Sequence, residues 1–207
     1  MTAISPYQTE GLNKVYNLLF CDDLSLYKLD NKPSIYPWDV LLAHPPDLPA
    51  LKAVAVDDGL EARQRLLACR LLEANGEYAT NKQLLGVVIE VGLEHGLDVL
   101  AAFKDGRARY INQSEKLLVW ETKTDRSSQL IAQLFEASLA VVNQIGKWEG
   151  ERRPYPKVGM IRLSFLVSDG LYFGEGPFEV LQNDAMGKAV INAGIQLMTF
   201  LTQQVVK

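Results

Sequence analysis

The sequence predicts an α+β fold: an antiparallel sheet of about six strands, arranged as a four-strand meander, a helix and a hairpin, with helices mainly on one face. Two observations carry this reading. Residues 83–121 alternate short apolar segments with turn residues, and residues 158–176 repeat the pattern once more. Both stretches contain Asp-Gly at a turn, as Asp105-Gly106 and as Asp169-Gly170. A two-residue type I′ turn needs positive φ at both central positions, and Asp-Gly between alternating segments is a strong signal for it. A third observation completes the class: apolar residues at helical spacing precede, separate and follow the two sheet regions.

Taken in order, Ser5-Pro6 predicts a helix start, with Leu12, Val15, Tyr16, Leu19 and Phe20 along one stripe. Residues 24–29 predict a short strand. Residues 32–50 hold five of the nine prolines, which predicts a largely irregular arm, because proline removes a donor and disfavours helix before it. Tyr36, Trp38, Leu41 and Leu42 predict that this arm packs onto the rest of the chain. The chain therefore divides into an N-terminal helix and proline-rich arm (1–50) and an α-β4-α-β2-α main domain (51–207).

Asp58 with Glu61 predicts a capped helix that stops at Asn75-Gly76. A second long helix is predicted over 125–146, with Ile131, Leu134, Phe135, Ser138, Val142 and Ile145 on one stripe. Residues 147–157, KWEGERRPYPK, read as a charged loop. Asn183 or Asp184 caps a last helix to about residue 205, on the stripe Met186, Ala189, Val190, Ala193, Leu197, Phe200 and Leu201. Ala189, Ala193 and Gly194 are small enough there for close backbone approach.

The turns predict a register. With Asp105-Gly106 as the loop, Phe103 faces Ala108, Ala101 faces Tyr110, and Leu100 faces Ile111. With Ser114-Glu115 as the next loop, Arg109 faces Trp120, a geometry for a cation–π pair on a half-apolar sheet face with Leu100, Ile111 and Leu118. In the second hairpin Leu166 faces Phe173, and Arg162 lies diagonally from Glu175 on one face, placed for an ion pair.

Composition bounds the function. The chain has 207 residues, 48% hydrophobic and 22% charged, enough for a sizeable core. A net charge of −4 argues against broad binding to a phosphate backbone, so no nucleic-acid partner is expected. The two cysteines, Cys21 and Cys69, form neither a disulfide framework nor a zinc pattern, and a reducing cytoplasm is the expected location. The stretch MTAISPYQTE lacks a basic segment followed by an apolar one, so no signal peptide is expected, and no run approaches the roughly 20 apolar residues of a membrane span.

No nucleophile, phosphate-loop or metal motif is present, so no catalytic residue, metal or cofactor is expected. His44 lies in the arm and His95 in a turn, too few histidines for a His-rich site. Glu90 sits in Val88-Ile89-Glu90-Val91-Gly92 among residues that read as buried, where a carboxyl has a raised pKa unless it is paired; an edge position or a partner such as Arg109 is expected. Gly174-Glu175-Gly176 leaves a strand end open to close approach. Lys147, Arg152, Arg153 and Lys157 with Trp148 and Tyr155 read as a solvated loop, because Glu149 and Glu151 interleave.

The order helix, meander, helix, hairpin, helix resembles the fold of type III secretion chaperones over residues 58–205, with one strand more in the meander and no shared motif. That resemblance implies a small, acidic, dimeric protein that holds partner segments. The function expected is a non-catalytic binding or adaptor module using the half-apolar sheet face; the alternative is a small-molecule sensor or enzyme with a pocket around Glu90, Arg109 and Glu175. The binding residues are then Arg109, Trp120, Glu90, Glu175, Gly174 and Gly176, the partner a protein or small ligand, and the chain a homodimer.

Overall fold

The structure, a computed structural model, describes residues 4–27, 35–79 and 81–204. Its centre is a six-stranded antiparallel sheet in the order β4-β3-β2-β1-β5-β6, formed by β1 (Leu84–Leu93), β2 (Gly96–Phe103), β3 (Ala108–Ile111), β4 (Leu117–Trp120), β5 (Met160–Val167) and β6 (Gly170–Pro177). The α+β class and the strand count are those the sequence predicts.

The helices cover both faces rather than mainly one. On one face α1 (Glu10–Leu18), α3 (Leu48–Val56) and α4 (Ala62–Ala74) form a core with Val88, Val99, Ala101 and Phe103. On the other, α5 (Asp125–Val142) and α7 (Gly187–Gln204) form a second core with Val87, Ile89, Leu163 and Phe165. The physical reason lies in the strands. Leu84 to Glu90 are all buried, a near-continuous apolar run that belongs to a strand covered on both sides.

Local chemistry explains most boundaries. The first helix starts at Glu10 after Thr9, not at Ser5, and its Tyr16 is fully buried. Residues 24–27 are one 3-10 turn rather than a strand; Lys28 and Leu29 lie outside the described residues. The arm is less irregular than expected. It holds the single turn α2 (Trp38–Leu41) and the start of α3, where Asp47 accepts from Ala50 N at 3.0 Å and proline occupies the first turn, in which its missing N–H costs nothing. Leu41 is buried and Trp38 stacks on Tyr27, so the arm does pack.

Helix α4 begins three residues later than the Asp58 cap implies, because Glu61 N donates to Gln64 Oε1 (3.1 Å) while Asp58 turns to Arg65 Nη1 (2.5 Å). Asp184 accepts from Met186 N and Gly187 N ahead of α7, as a cap. The single turn α6 (Phe178–Leu181) precedes it. The buried stripe of α7 is Gly187, Val190, Ile191, Gly194, Leu197 and Leu201; Met186 and Ala189 stay exposed. Gly194 is the close approach: a Cβ there would lie 2.4 Å from Ile89 Cδ1. No helix among the described residues is long and apolar enough to cross a membrane.

The registers correct three pairings. Ala102 faces Ala108 and Leu100 faces Tyr110, one residue from the expectation, because Lys104, Asp105 and Gly106 form a three-residue loop in which Gly106 takes φ 89°. The next turn does the same with Glu115 at φ 62°, so Arg109 faces Val119 and Trp120 faces Ala108. In the last hairpin Val167 faces Gly170. That register differs from the expected one by two, so faces are preserved and Arg162 lies directly opposite Glu175.

Candidate functional site

A one-residue slip moves every side chain of a strand to the other face, and it divides the expected site. Arg109 faces Ala101 and shares the α4 side; Trp120 shares the α7 side, where its ring meets Phe200 edge-on at 5.5 Å. The two therefore form no cation–π pair. Arg109 Nη1 donates to the carbonyls of Ala108 and Trp120, and Nη2 to Glu121 Oε1 at 2.6 Å. Burial and the nearby Arg63 lower its pKa, with Glu121 opposing.

Gly174 and Gly176 face Leu163 and Ile161 on the α7 side, while Glu175 belongs to the α4 side. Arg109 on β3 and Glu175 on β6 are separated by four strand spacings, on the order of 19 Å. One small pocket around Glu90, Arg109 and Glu175 is therefore not formed. The half-apolar face offered as a platform is covered as well: Leu100 and Ile111 are buried, and Leu118 and Trp120 pack against the α7 core.

Glu90 and Glu175 do come together, through Arg162. Register places Glu90, Arg162 and Glu175 side by side on β1, β5 and β6. Arg162 Nε donates to Glu175 Oε2 (2.7 Å), its Nη1 lies 3.7 Å from Glu90 Oε2, and Nη1 and Nη2 also donate to the carbonyls of Arg153 and Pro154. Glu90 is fully buried and accepts from the Tyr16 hydroxyl at 2.6 Å. Its partners are thus Tyr16 and Arg162, not Arg109. Burial pushes the Glu90 carboxyl up, and Arg162 and Tyr16 oppose that rise. Burial, then Glu90, raises the Tyr16 hydroxyl well above its ordinary value. Glu90 lines none of the main clefts, and its bond from Tyr16 ties α1 to the sheet.

Beside it lies a residue that sequence reasoning left in solvent. After α5 the chain runs along the β6 edge, where Trp148 N donates to Leu171 O and the Trp148 ring meets Phe173 at 5.1 Å. This brings Arg152 under the end of α1, with only 5% of its side chain exposed. Its guanidinium lies 4.0 Å from the Phe20 ring, Nε donates to Asp22 Oδ2 (2.7 Å) and Nη2 to Asn17 Oδ1 (2.7 Å). Cys21 is at φ 53°, a left-handed step that follows α1 and precedes Asp22. Arg152 Nη1 and Asp22 Oδ1 are buried with no hydrogen-bond partner among the described residues.

Arg152 and Asp22 line a cleft of about 410 Å³ between α4 and the 147–152 loop. Phe20, Leu166 and Leu171 supply its apolar surface, and Trp148 and Glu73 also border it. Glu73 bridges Lys147 Nζ and Arg70 Nη1; burial works against its charge, and the two cations outweigh burial and hold the carboxyl below its usual range. A second cleft of about 390 Å³ opens at the start of α4, near Glu61, Arg65 and Arg107. Three of its charged groups are already matched: Arg65 bonds Ala55 O, Asp58 and Gln83, Arg107 pairs with Asp105 and Glu61, and Asp105 accepts from Ala62 N; Lys104 and Lys123 also border it.

No family model, curated protein or solved structure matches this chain. The likeness to secretion chaperones therefore rests on element order alone.

Reactive groups are few. Burial pushes the Cys21 thiol up to about 12 and the Cys69 thiol to about 11. His44 and His95 are exposed, on the arm and on the β1–β2 turn. Among the described residues no cluster of three His, Cys, Asp or Glu is placed to hold a metal ion. Sequence reasoning named Arg152 as part of a solvated loop and did not single out Asp22, since the two lie 130 positions apart.

Proposed function

We propose that this chain is a non-catalytic binding protein, and that its ligand site is the cleft between α4 and the 147–152 loop. One observation carries the reading: the Arg152–Asp22 pair lines the cleft, and each member keeps a buried polar atom without a hydrogen bond. Buried polar groups left unmatched are costly, and a ligand that draws the two side chains out to the cleft, where neither atom is exposed, recovers that cost as affinity. The cleft volume falls in the range of small-molecule sites. The thiols speak for binding rather than catalysis, since burial keeps both in the unreactive protonated form. Two free, buried cysteines also support the cytoplasmic location expected from the sequence.

The test is a thermal-shift screen of a fragment set with neutral, anionic, cationic and zwitterionic members, run on the wild type and on Ala74→Trp. Ala74 is exposed and borders the cleft, so the indole obstructs it without entering the core. The reading expects stabilising fragments for the wild type that are lost in the blocked variant. Fragments that stabilise both proteins equally, or none at all, overturn it.

A second reading keeps the homodimer and moves its surface. Helices cover both sheet faces, but β4 is an edge strand whose Leu117 and Val119 are exposed. Pairing of two β4 edges about a two-fold axis would bury them. Sedimentation at micromolar concentration separates the cases: a dimer lost in Val119→Lys supports this surface, and a monomer removes it.

A further inference from the structure

We infer that two copies of this chain join their sheets at β4 in one defined register, with Leu118 opposite its own copy on the two-fold axis; this rests on the β4 homodimer described above. The phase of the hydrogen bonds carries it. Residues opposite each other in an antiparallel pair alternate between bonded and non-bonded pairs. Across the β2–β3 turn Phe103 N donates to Arg107 O (2.9 Å), which makes Ala101–Arg109 and Val99–Ile111 the bonded pairs of β2 and β3. Ala108 and Tyr110 therefore turn their N–H and C=O toward β4, where they meet Trp120 and Leu118. Asn112 N donates to Lys116 O (3.1 Å), in the same phase. Leu117 and Val119 are left with N–H and C=O directed out of the sheet, and no strand follows β4 in the sheet order. The opposite edge is closed differently: Trp148 N donates to Leu171 O on β6, and the Trp148 ring lies against Phe173.

The same two residues expose apolar side chains, Leu117 by 39% and Val119 by 52%, on the face that holds Ile111 and Arg109. A two-fold axis normal to the sheet sets a residue opposite its own copy and keeps both faces continuous across the join. With the axis at Leu118, each Leu117 forms a bonded pair with Val119 of the partner subunit. Every outward N–H and C=O of the strand then has a mate, and each exposed apolar side chain lies beside another. With the axis at Val119, Leu117 would instead meet Glu121 of the partner subunit, a carboxylate past the end of the strand. Charge suits the Leu118 register as well. On the other face the exposed Lys116 lies opposite the partner's Trp120, a cation placed against an aromatic ring.

The test is oxidative cross-linking of Leu117→Cys, Leu118→Cys and Val119→Cys in the full chain, with sedimentation of the wild type beside it. Cys21 and Cys69 are buried, so the wild type is the unlinked control. On a non-bonded pair the two copies of residue 118 have Cα atoms about 4.5 Å apart, within disulfide range. Residues 117 and 119 are each diagonal to their own copy, about 7–8 Å away, and so out of range. Leu118→Cys is expected to link at least about tenfold faster than either neighbour alone. An equimolar mixture of Leu117→Cys and Val119→Cys is expected to link as a heterodimer. If Leu118→Cys does not fold, that mixture decides. Fastest linking by Val119→Cys or Leu117→Cys alone overturns the register and leaves the β4 dimer standing. A wild-type dimer with no linking in any variant or in the mixture, or a wild-type monomer at micromolar concentration, overturns the register and the β4 surface together.

Discussion

Tyr16→Phe tests the buried row that fastens α1 to the sheet. The hydroxyl donates to Glu90 Oε1 at 2.6 Å inside a fully buried site, and Glu90 Oε2 has no hydrogen bond, only Arg162 at 3.7 Å. Removing the hydroxyl leaves the carboxylate with that cation alone. A buried hydrogen bond to a charged group contributes about 1.5–3 kcal/mol, so a loss of about 2 kcal/mol is expected, roughly 4–8 °C in melting midpoint for a chain of this size. The loss depends on pH. Burial raises the folded pKa of Glu90 above its usual 4.5. A raised carboxyl makes folding most favourable below the usual value, and stability falls as pH climbs from there toward the folded pKa. The Tyr16 bond holds that folded pKa down, so in Tyr16→Phe the fall continues to higher pH. The deficit against wild type is therefore larger at neutral pH than at about pH 4. Glu90→Gln should flatten this window, because its amide oxygen still accepts from Tyr16 and Arg162 keeps Glu175. Urea unfolding of both single variants and the double variant at several pH values is the assay. Unchanged midpoints at neutral pH, a larger deficit in acid, or additive behaviour of the two changes would refute the argument.

Three other outcomes follow from the backbone and the core. Gly106→Val should cost about 1–3 kcal/mol because Gly106 is at φ 89°, and Gly106→Asn should recover part of it; equal unfolding midpoints for wild type and Gly106→Val would remove the three-residue turn. Gly194→Leu puts a branched side chain where even a Cβ would press on Ile89 Cδ1 and should cost on the order of 1–3 kcal/mol, whereas Gly194→Ala, which Ile89 can clear by turning its end and which gains helix propensity, should change stability by no more than about 1 kcal/mol; a stabilised Gly194→Leu would contradict the packing of α7. Cys21 and Cys69, both buried with thiols raised to about 12 and 11, should resist a disulfide reagent in native buffer near pH 8 and react in denaturant; fast native labelling would contradict their placement.

The fold was largely legible, and the site was not. Both Asp-Gly pairs marked real turns, and the apolar runs marked the strands around them. Register is a finer quantity. At Gly106 the loop holds three residues rather than two, and at Glu115 a non-glycine residue takes the left-handed conformation, which no residue type announces. Each is a one-residue slip, and together they dissolved the Arg109–Trp120 platform. The last hairpin shifts by two, which preserves faces, so the Arg162–Glu175 pair was readable.

The burial of Glu90 could be read from Val88, Ile89 and Val91 beside it, but its partner Tyr16 is 74 positions away. Arg152 was harder still. Alternating charges in KWEGERRPYPK describe a solvated loop by every local measure. Only the packing of α1 and the loop against the β6 edge takes this one guanidinium out of water.

The central claim, that the cleft beside Arg152 and Asp22 is where this protein binds its ligand, is tested most directly by an amide chemical-shift map of the 15N-labelled chain titrated with the pooled fragment set. The account predicts shifts concentrated at Phe20, Asp22, Glu73, Trp148, Gly150 and Arg152. Shifts confined to the cleft at the start of α4 or to β4, with those six residues unmoved, would contradict it.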